Sequence, residues 1–290
     1  MPYTAEISRT NPTCFVFLVD QSGSMRDPFG QDPSKKKCDG VADAINRLLQ
    51  VLINTCTKGD RILDRFHVGV IGYGGTAVSL IVSANEEDDG QELIQISELA
   101  NSPLRTETRE KLFDDGGGDL IARKVPFPIW FEPAAYGITP MREAIELASR
   151  LVSRFIRQYP NCHPPVVINI TDGAPDSPPK DVEDAAEDLR SLASSDGEVL
   201  MFNLHVSDLP NAPIEYPVSD SCLPDHRSRM LFNMSSIIPE PMRELAGQLG
   251  FELKPKSRGM VFNADLTSVI RFLRIGTVPS QRTKLLEYNS

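Results

Sequence analysis

FVFLVDQSGSM, residues 15–25, joins an unbroken apolar run to a polar loop, and the fold follows from that junction. The run starts at Cys14, lacks polar alternation, and is rich in aromatic and β-branched residues. That is the pattern of a strand buried on both faces, as in a parallel sheet. It stops abruptly at Asp20. Beyond a loop containing Gly23, Pro28, Gly30 and Pro33, residues Val41, Ala44, Ile45, Leu48, Leu49, Leu52 and Ile53 recur at helical spacing. They predict a helix with one buried face over about 37–55.

The same alternation continues along the chain. A strand is expected over about 66–73, and after the Gly74-Gly75 turn signal a hairpin partner over 77–82 gives the sheet one antiparallel edge. Helical spacing returns over 141–159, with Ala144, Ile145, Leu147, Ala148, Leu151, Val152 and Phe155 on one face. A second apolar strand, 166–170, runs into Thr171-Asp172-Gly173. A helix over 181–194, a strand over 199–206, a short helix over 241–249, a weaker strand over 259–262 and a helix over 266–273 complete the pattern. Strands alternating with helices predict a doubly wound, mostly parallel sheet with helices on both faces, a Rossmann-like α/β fold. One domain over 12–274 accounts for this order. It carries an insertion over about 83–128, where a short helical candidate at 91–100 is flanked by an acidic run at 86–89 and a glycine run at 114–119. A long proline-containing loop is expected over 209–238, and a basic tail over 275–290.

Composition narrows the function classes. Of the 290 residues 40% are apolar and 24% charged, the balance of a folded globular chain. No apolar run approaches the roughly 20 residues that span a bilayer, and residues 1–11 are polar with no signal-peptide stretch, so a cytoplasmic protein without membrane attachment is expected. Five cysteines without CxxC spacing, Cys14, Cys38, Cys56, Cys162 and Cys222, read as reduced thiols. A net charge of −10 argues against nucleic-acid binding, which needs clustered positive charge. The basic residues gather late, at Lys254, Lys256, Arg258, Arg271, Arg274, Arg282 and Lys284, and together with the acidic run they read as solvated surface. No G-x-x-x-x-G-K-[ST] phosphate loop is present.

The polar residues that follow the strands carry the chemistry. Open α/β sheets place ligand sites at the carboxyl ends of their strands, where the loops diverge. Asp20-Gln21-Ser22-Gly23-Ser24, Gly137-Ile138-Thr139-Pro140 and Thr171-Asp172-Gly173 all arrive there. In an extended chain positions 20 and 24 stand roughly 13 Å apart, far more than one ion allows, so the loop must curl after Asp20, and Gly23 permits it. Hydroxyls and carboxylates are hard donors suited to Mg²⁺, Mn²⁺ or Ca²⁺, with Mg²⁺ the first choice. Taken singly, Ser22, Ser24 and Asp172 also read as loop or capping residues. Thr139-Pro140 likewise reads as a helix start, with Thr139 the N-cap and Pro140 the first helical residue. Asp176 reads as a turn residue with some prospect of belonging to the rim. The four histidines, His67, His163, His205 and His226, read as core or surface residues rather than catalytic bases.

Residues 15–25, Thr139-Pro140-Met141 and 170–173 resemble, in order and context, the metal-ion-dependent adhesion site of von Willebrand factor A domains. The similarity of element order extends from about residue 12 to residue 274. The resemblance implies metal ligands at Asp20, Ser22, Ser24, Thr139 and Asp172, and no ligand position departs from the motif. It implies a non-enzymatic adaptor, in which the ion takes a glutamate or aspartate from a partner protein. The wording of the motifs is similar to stand-alone bacterial members that act beside ATPases, kinases, phosphatases or proteases in stress-response or defence systems. Two other readings stand beside it. A haloacid dehalogenase-type, Mg²⁺-dependent phosphohydrolase also opens on a strand ending in aspartate, but it carries a carboxylate two residues later, where this chain has Ser22. A structural subunit whose metal only locks the fold would have no exchangeable ligand position.

Overall fold

All eight residues of strand β1 (Thr13–Asp20) are buried, and their side chains alternate between two cores. Phe15, Phe17 and Val19 enter one, while Cys14, Val16 and Leu18 enter the other. The strand must therefore lie inside a sheet covered on both faces. The computed structural model, which describes residues 2–29, 32–75, 77–82, 93–114, 120–207, 212–248 and 250–276, places it there.

In chain order, β1 is followed by α1 (Lys37–Cys56), β2 (Phe66–Gly74), β3 (Ala77–Val82), β4 (Ile94–Gln95) and α2 (Ile96–Asn101). Next come β5 (Arg105–Asp114), β6 (Leu120–Ile129), α3 (Met141–Gln158), β7 (Val166–Thr171), α4 (Pro179–Ser191) and β8 (Leu200–Val206). The chain continues through β9 (Ile214–Glu215), α5 (His226–Met234), α6 (Glu240–Gln248), β10 (Met260–Ala264) and α7 (Leu266–Gly276). The eight-stranded sheet runs β9-β10-β8-β7-β1-β2-β3, with β4 also paired to β2. β1 pairs in parallel with β2 and β7, β7 with β8, and β8 with β10. The expected antiparallel edge is β3, and the far edge closes on the two-residue antiparallel strand β9. Helices α1, α2, α6 and α7 contribute to the core on one face, and α3, α4 and α5 to that on the other.

Three expectations change. The loop expected over 209–238 contains β9 and α5. That helix is opened by a capping box, in which Asp225 accepts from the Ser228 N–H at 2.8 Å and Ser228 Oγ faces the Asp225 N–H at 3.3 Å. Its first turn, His-Arg-Ser-Arg, is polar and hides the helical period. The insertion over 83–128 holds a ten-residue antiparallel ladder, β5 against β6, with exposed and charged residues that blur the strand alternation. Its helix starts at Ile96 rather than near 91. The helix expected over 181–194 ends at Ser191, because Ala193–Ser194 turns back to pair with Gly197–Glu198. Residues 83–92 with their acidic run, the glycine run at 115–119, and the tail from 277, including Arg282 and Lys284, lie outside the described residues.

Polar side chains inside the fold hold the sheet and loops in register. The Tyr73 hydroxyl donates to Asn169 Oδ1 at 2.7 Å, Asn169 donates to Asn203 Oδ1 at 3.0 Å, and Asn203 donates to Ser235 Oγ at 3.0 Å. This chain crosses β2, β7 and β8, and burial pushes the Tyr73 phenol well above its ordinary range. On the other face Asn46 of α1 accepts from the N–H groups of Trp130 and Phe131 at 2.8 and 3.1 Å and donates to the Phe131 carbonyl at 2.8 Å. It thereby pins the segment that leads from β6 toward residue 139. Tyr73→Phe keeps the ring and removes the donor, leaving Asn169 Oδ1 buried without it. The expected loss is about 1–3 kcal/mol of unfolding free energy by urea denaturation. A change inside measurement error would show that this network does not support the fold.

Candidate metal centre

β1 lies between β2 and β7 in unbroken parallel register, with Asp20 opposite Tyr73 and Val19 opposite Ile170. Asp20 and the Thr171-Asp172 pair therefore leave the same edge of the sheet side by side. Asp20 is 0% exposed, and protein donors engage both of its oxygens. The Ser22 N–H donates to Oδ1 at 2.8 Å and the Thr171 hydroxyl donates to Oδ2 at 2.6 Å. The first bond curls the loop back on itself as the sequence requires, and a short 3₁₀ turn, Gly23–Arg26, completes the curl.

The curl brings the next polar groups together. Ser22 Oγ and Ser24 Oγ are 3.1 Å apart, and Ser24 donates to Asp172 Oδ1 at 2.7 Å. Two oxygens at adjacent corners of an octahedron of radius about 2.1 Å, the Mg²⁺ distance, stand about 3.0 Å apart. The spacing of Ser22, Ser24 and Asp172 thus matches the edges of a hard-cation site and also serves hydrogen bonding among the three. Thr139 lies near the same group. A Cβ added to Gly173 would meet Ser24 Oγ at 3.8 Å and Thr139 Oγ1 at 3.9 Å, so both hydroxyls face the same glycine. Among the described residues no group of three or more His, Cys, Asp or Glu side chains could hold a metal. The donor set gathered here contains only two carboxylates and relies on hydroxyls for the rest.

Thr139 does not cap α3. The N-cap is Pro140, without a side-chain cap bond, and the helix begins at Met141. Asp176 instead clamps Thr139, accepting its N–H on Oδ2 at 2.7 Å while the Asp176 N–H donates to the Thr139 carbonyl at 3.2 Å. Asp176 thus positions a candidate ligand, although D-G-A-P-D reads locally as a turn. The loop before Thr139 is stitched to the first loop by backbone bonds: Tyr136 N–H to Gln21 O at 2.6 Å, Gly23 N–H to Gly137 O at 3.1 Å, and Gly75 N–H to Tyr136 O at 2.8 Å. Gly137 has a φ of 67°, and a Cβ there would lie 2.2 Å from Gly75 Cα, so only glycine suits this crossing.

Two more groups belong to the site and were missed in the sequence. Lys37, the first residue of α1, places Nζ 2.8 Å from Asp172 Oδ2, with the lysine side chain 7% exposed and the aspartate side chain 1%. It ends the run Lys35-Lys36-Lys37, whose first two members are exposed, so nothing local marks the third as different. In the sequence Thr171 stands only as the first residue of T-D-G, whereas in the fold its hydroxyl orients Asp20. His205 lies near Asp172, stacked on Phe262 at 4.5 Å, and burial pushes its imidazole down to about 4. It is therefore neutral near pH 7.

Burial pushes the Asp20 carboxyl up to about 6; the Thr171 and Ser22 hydrogen bonds pull against that rise, and the Asp172 charge adds to it. A folded-state value above the unfolded one means that the folded chain binds the proton more tightly. This group's contribution to stability therefore falls as pH rises from about 4 to about 6 and is level above that. In chelator, wild type is expected to lose on the order of 2–3 kcal/mol relative to Asp20→Asn between pH 4 and pH 7. Urea denaturation of both proteins checks this, and parallel pH profiles would show that Asp20 bears no such burden.

No protein-family model matches the chain, and no curated protein matches it. Among solved structures it is similar to the three N-terminal domains of the type V pili tip protein Mfa5 from Porphyromonas gingivalis, with 10% identity and a TM-score of 0.33, covering 57% of this chain and 20% of that one. The vWF domain of the same pili tip protein matches with the same identity, TM-score and coverage of this chain, and 39% of its own length is spanned. The chain thus spans less than half the length of either of these two structures.

Proposed function

We propose that the chain is a metal-dependent protein-interaction module of the von Willebrand factor A type, and that it works as an adaptor rather than an enzyme. The observation that carries this reading is the convergence of Ser22, Ser24 and Asp172 at the carboxyl edge of the sheet, with spacings of 3.1 and 2.7 Å. Ser22, Ser24, Thr139 and Asp172 would hold a divalent cation, Mg²⁺ first and Mn²⁺ or Ca²⁺ as alternatives. Asp20 would act from behind them, because its oxygens already accept from Ser22 and Thr171. A bound ion supplies an electropositive centre for an acidic side chain of a partner. The hydroxyl ligands leave that centre strong, since they add no formal charge.

The surroundings suit capture of a protein. Ser24 is exposed, so the cluster opens to solvent, which favours an exchangeable position over a purely structural ion. Tyr136 and Ile138, 46% and 51% exposed, precede Thr139 in the sequence and offer apolar contact next to a partner's Glu or Asp. The phosphohydrolase reading needs Asp20 as a nucleophile, and a carboxylate with no exposed surface and both oxygens engaged is poorly suited to that role. A partner among ATPases, kinases, phosphatases or proteases, in a bacterial stress-response or defence setting, is the biological frame we attach to this module. Among the described residues no helix is long and apolar enough to cross a membrane.

Calorimetric titration of the metal-stripped protein with Mg²⁺ and Mn²⁺ is expected to give about one ion per chain, with affinity lowered at least tenfold by Asp20→Ala and by the double change Ser22→Ala, Ser24→Ala. Water-proton relaxation of the Mn²⁺-loaded protein should fall on adding acetate as a surrogate for the partner's carboxylate. Absence of ion binding by the folded wild type would end the metal-dependent reading. Binding that is blind to acetate would leave only a structural ion.

A further inference from the structure

Asp172 does not stand in the cluster as a free carboxylate. Ser24 donates to its Oδ1, and the Lys37 ammonium holds its Oδ2 at 2.8 Å. With side chains 7% and 1% exposed, this pair is shielded from the water that makes surface ion pairs weak. The other carboxylate near Lys37, Asp27 Oδ2, is 3.9 Å away on a side chain that is 60% exposed, so Asp172 is the main partner. The backbone that carries Lys37 is fixed. This lysine is the first residue of α1, its backbone N–H donates to the Asp27 carbonyl at 3.0 Å, and its neighbour Cys38 is buried.

A divalent cation using Asp172 would come within a few ångström of a fixed positive charge. On the buried Lys37–Asp172 side of the cluster that repulsion is large compared with its value in water. The two carboxylates of the cluster, Asp20 and Asp172, are also all the formal negative charge that the predicted ligands supply, and Lys37 neutralises one of them.

We propose that Lys37 is a tethered cation that competes with the divalent ion for Asp172 and holds the affinity of the centre down. This rests on the metal-binding reading above and adds to it a residue that sets how readily the ion is taken up. A site tuned in this way loads at higher free metal, or when an incoming carboxylate compensates the crowded positive charge. Removing the ammonium should strengthen metal binding even though it weakens the metal-stripped fold, because Asp172 would then be buried without a counter-charge.

The test compares wild type, Lys37→Met and, as a control for net charge, Lys36→Met at the neighbouring exposed lysine. Mg²⁺ and Mn²⁺ affinities are measured by calorimetry, and melting temperatures are measured in chelator and in saturating Mg²⁺. Lys37→Met is expected to bind at least tenfold more tightly than wild type, to melt lower in chelator, and to gain more from Mg²⁺ than wild type does. Lys36→Met should behave as wild type. Ion binding by Lys37→Met with none by wild type overturns the proposal together with the metal-dependent reading of the native chain, since wild type would then take up no ion for Lys37 to weaken. Equal or weaker binding by Lys37→Met, with wild type binding, overturns it and leaves the metal centre standing. A Lys37→Met chain that stays unfolded at saturating Mg²⁺ overturns it as well, since the ammonium would then be a structural cation that the ion cannot replace. Absence of binding by both folded proteins overturns the metal reading itself.

Discussion

Burying the Asp20 carboxylate at the end of the central strand is the constraint from which the carboxyl edge is built. A carboxylate taken out of water must find donors, and the structure supplies them from two directions, the Ser22 N–H and the Thr171 hydroxyl. The first donor forces the loop after β1 to curl, which carries the Ser22 and Ser24 hydroxyls to one point. The second ties the ends of β1 and β7 together, so that Asp172 emerges beside those hydroxyls. The raised Asp20 pKa shows that the two donors do not fully offset burial. A positive charge nearby would relieve the remainder.

Precision in the surrounding loops comes from the backbone more than from side chains. Gln21, Gly23, Gly75, Tyr136 and Gly137 are linked through N–H to carbonyl bonds, so three loops from distant parts of the chain behave as one layer over the sheet. Asp176 and Asn46 extend that layer, one clamping Thr139 and the other pinning Trp130 and Phe131 to α1. Such pre-organisation matters for weak ligands. A hydroxyl binds a cation poorly unless its position is set beforehand by neighbours that lose little freedom on binding.

Charge in the cluster is balanced tightly. Asp172 is paired with Lys37, while His205 beside it stays neutral because burial disfavours a second positive charge. On the buried side of the cluster each unit of charge weighs heavily, so the placement of a single lysine beside Asp172 matters to the electrostatics of the whole group. Its effect depends on one helix start, where Lys37 turns inward while Lys35 and Lys36 face solvent.

By itself the sequence determined the α/β class, the order of the main strands and helices, and which loops meet at the carboxyl edge. These are set by periodicity, and periodicity is local: Phe15, Phe17 and Val19 alternate with Cys14, Val16 and Leu18 whatever lies around them. It was less informative where short polar segments fold only against a neighbour, as with α5 behind its capping box and the β5–β6 ladder. The residues nearest the candidate metal were partly legible, since D-x-S-x-S, T-P and T-D-G each sit after a strand or before a helix. Only the tertiary structure decided that Lys37 faces Asp172, that Asp176 clamps Thr139, and that Thr171 orients Asp20. Those pairings join residues far apart in the chain, and a side chain's partner across such a distance is chosen by packing and burial, which leave no period or spacing to read.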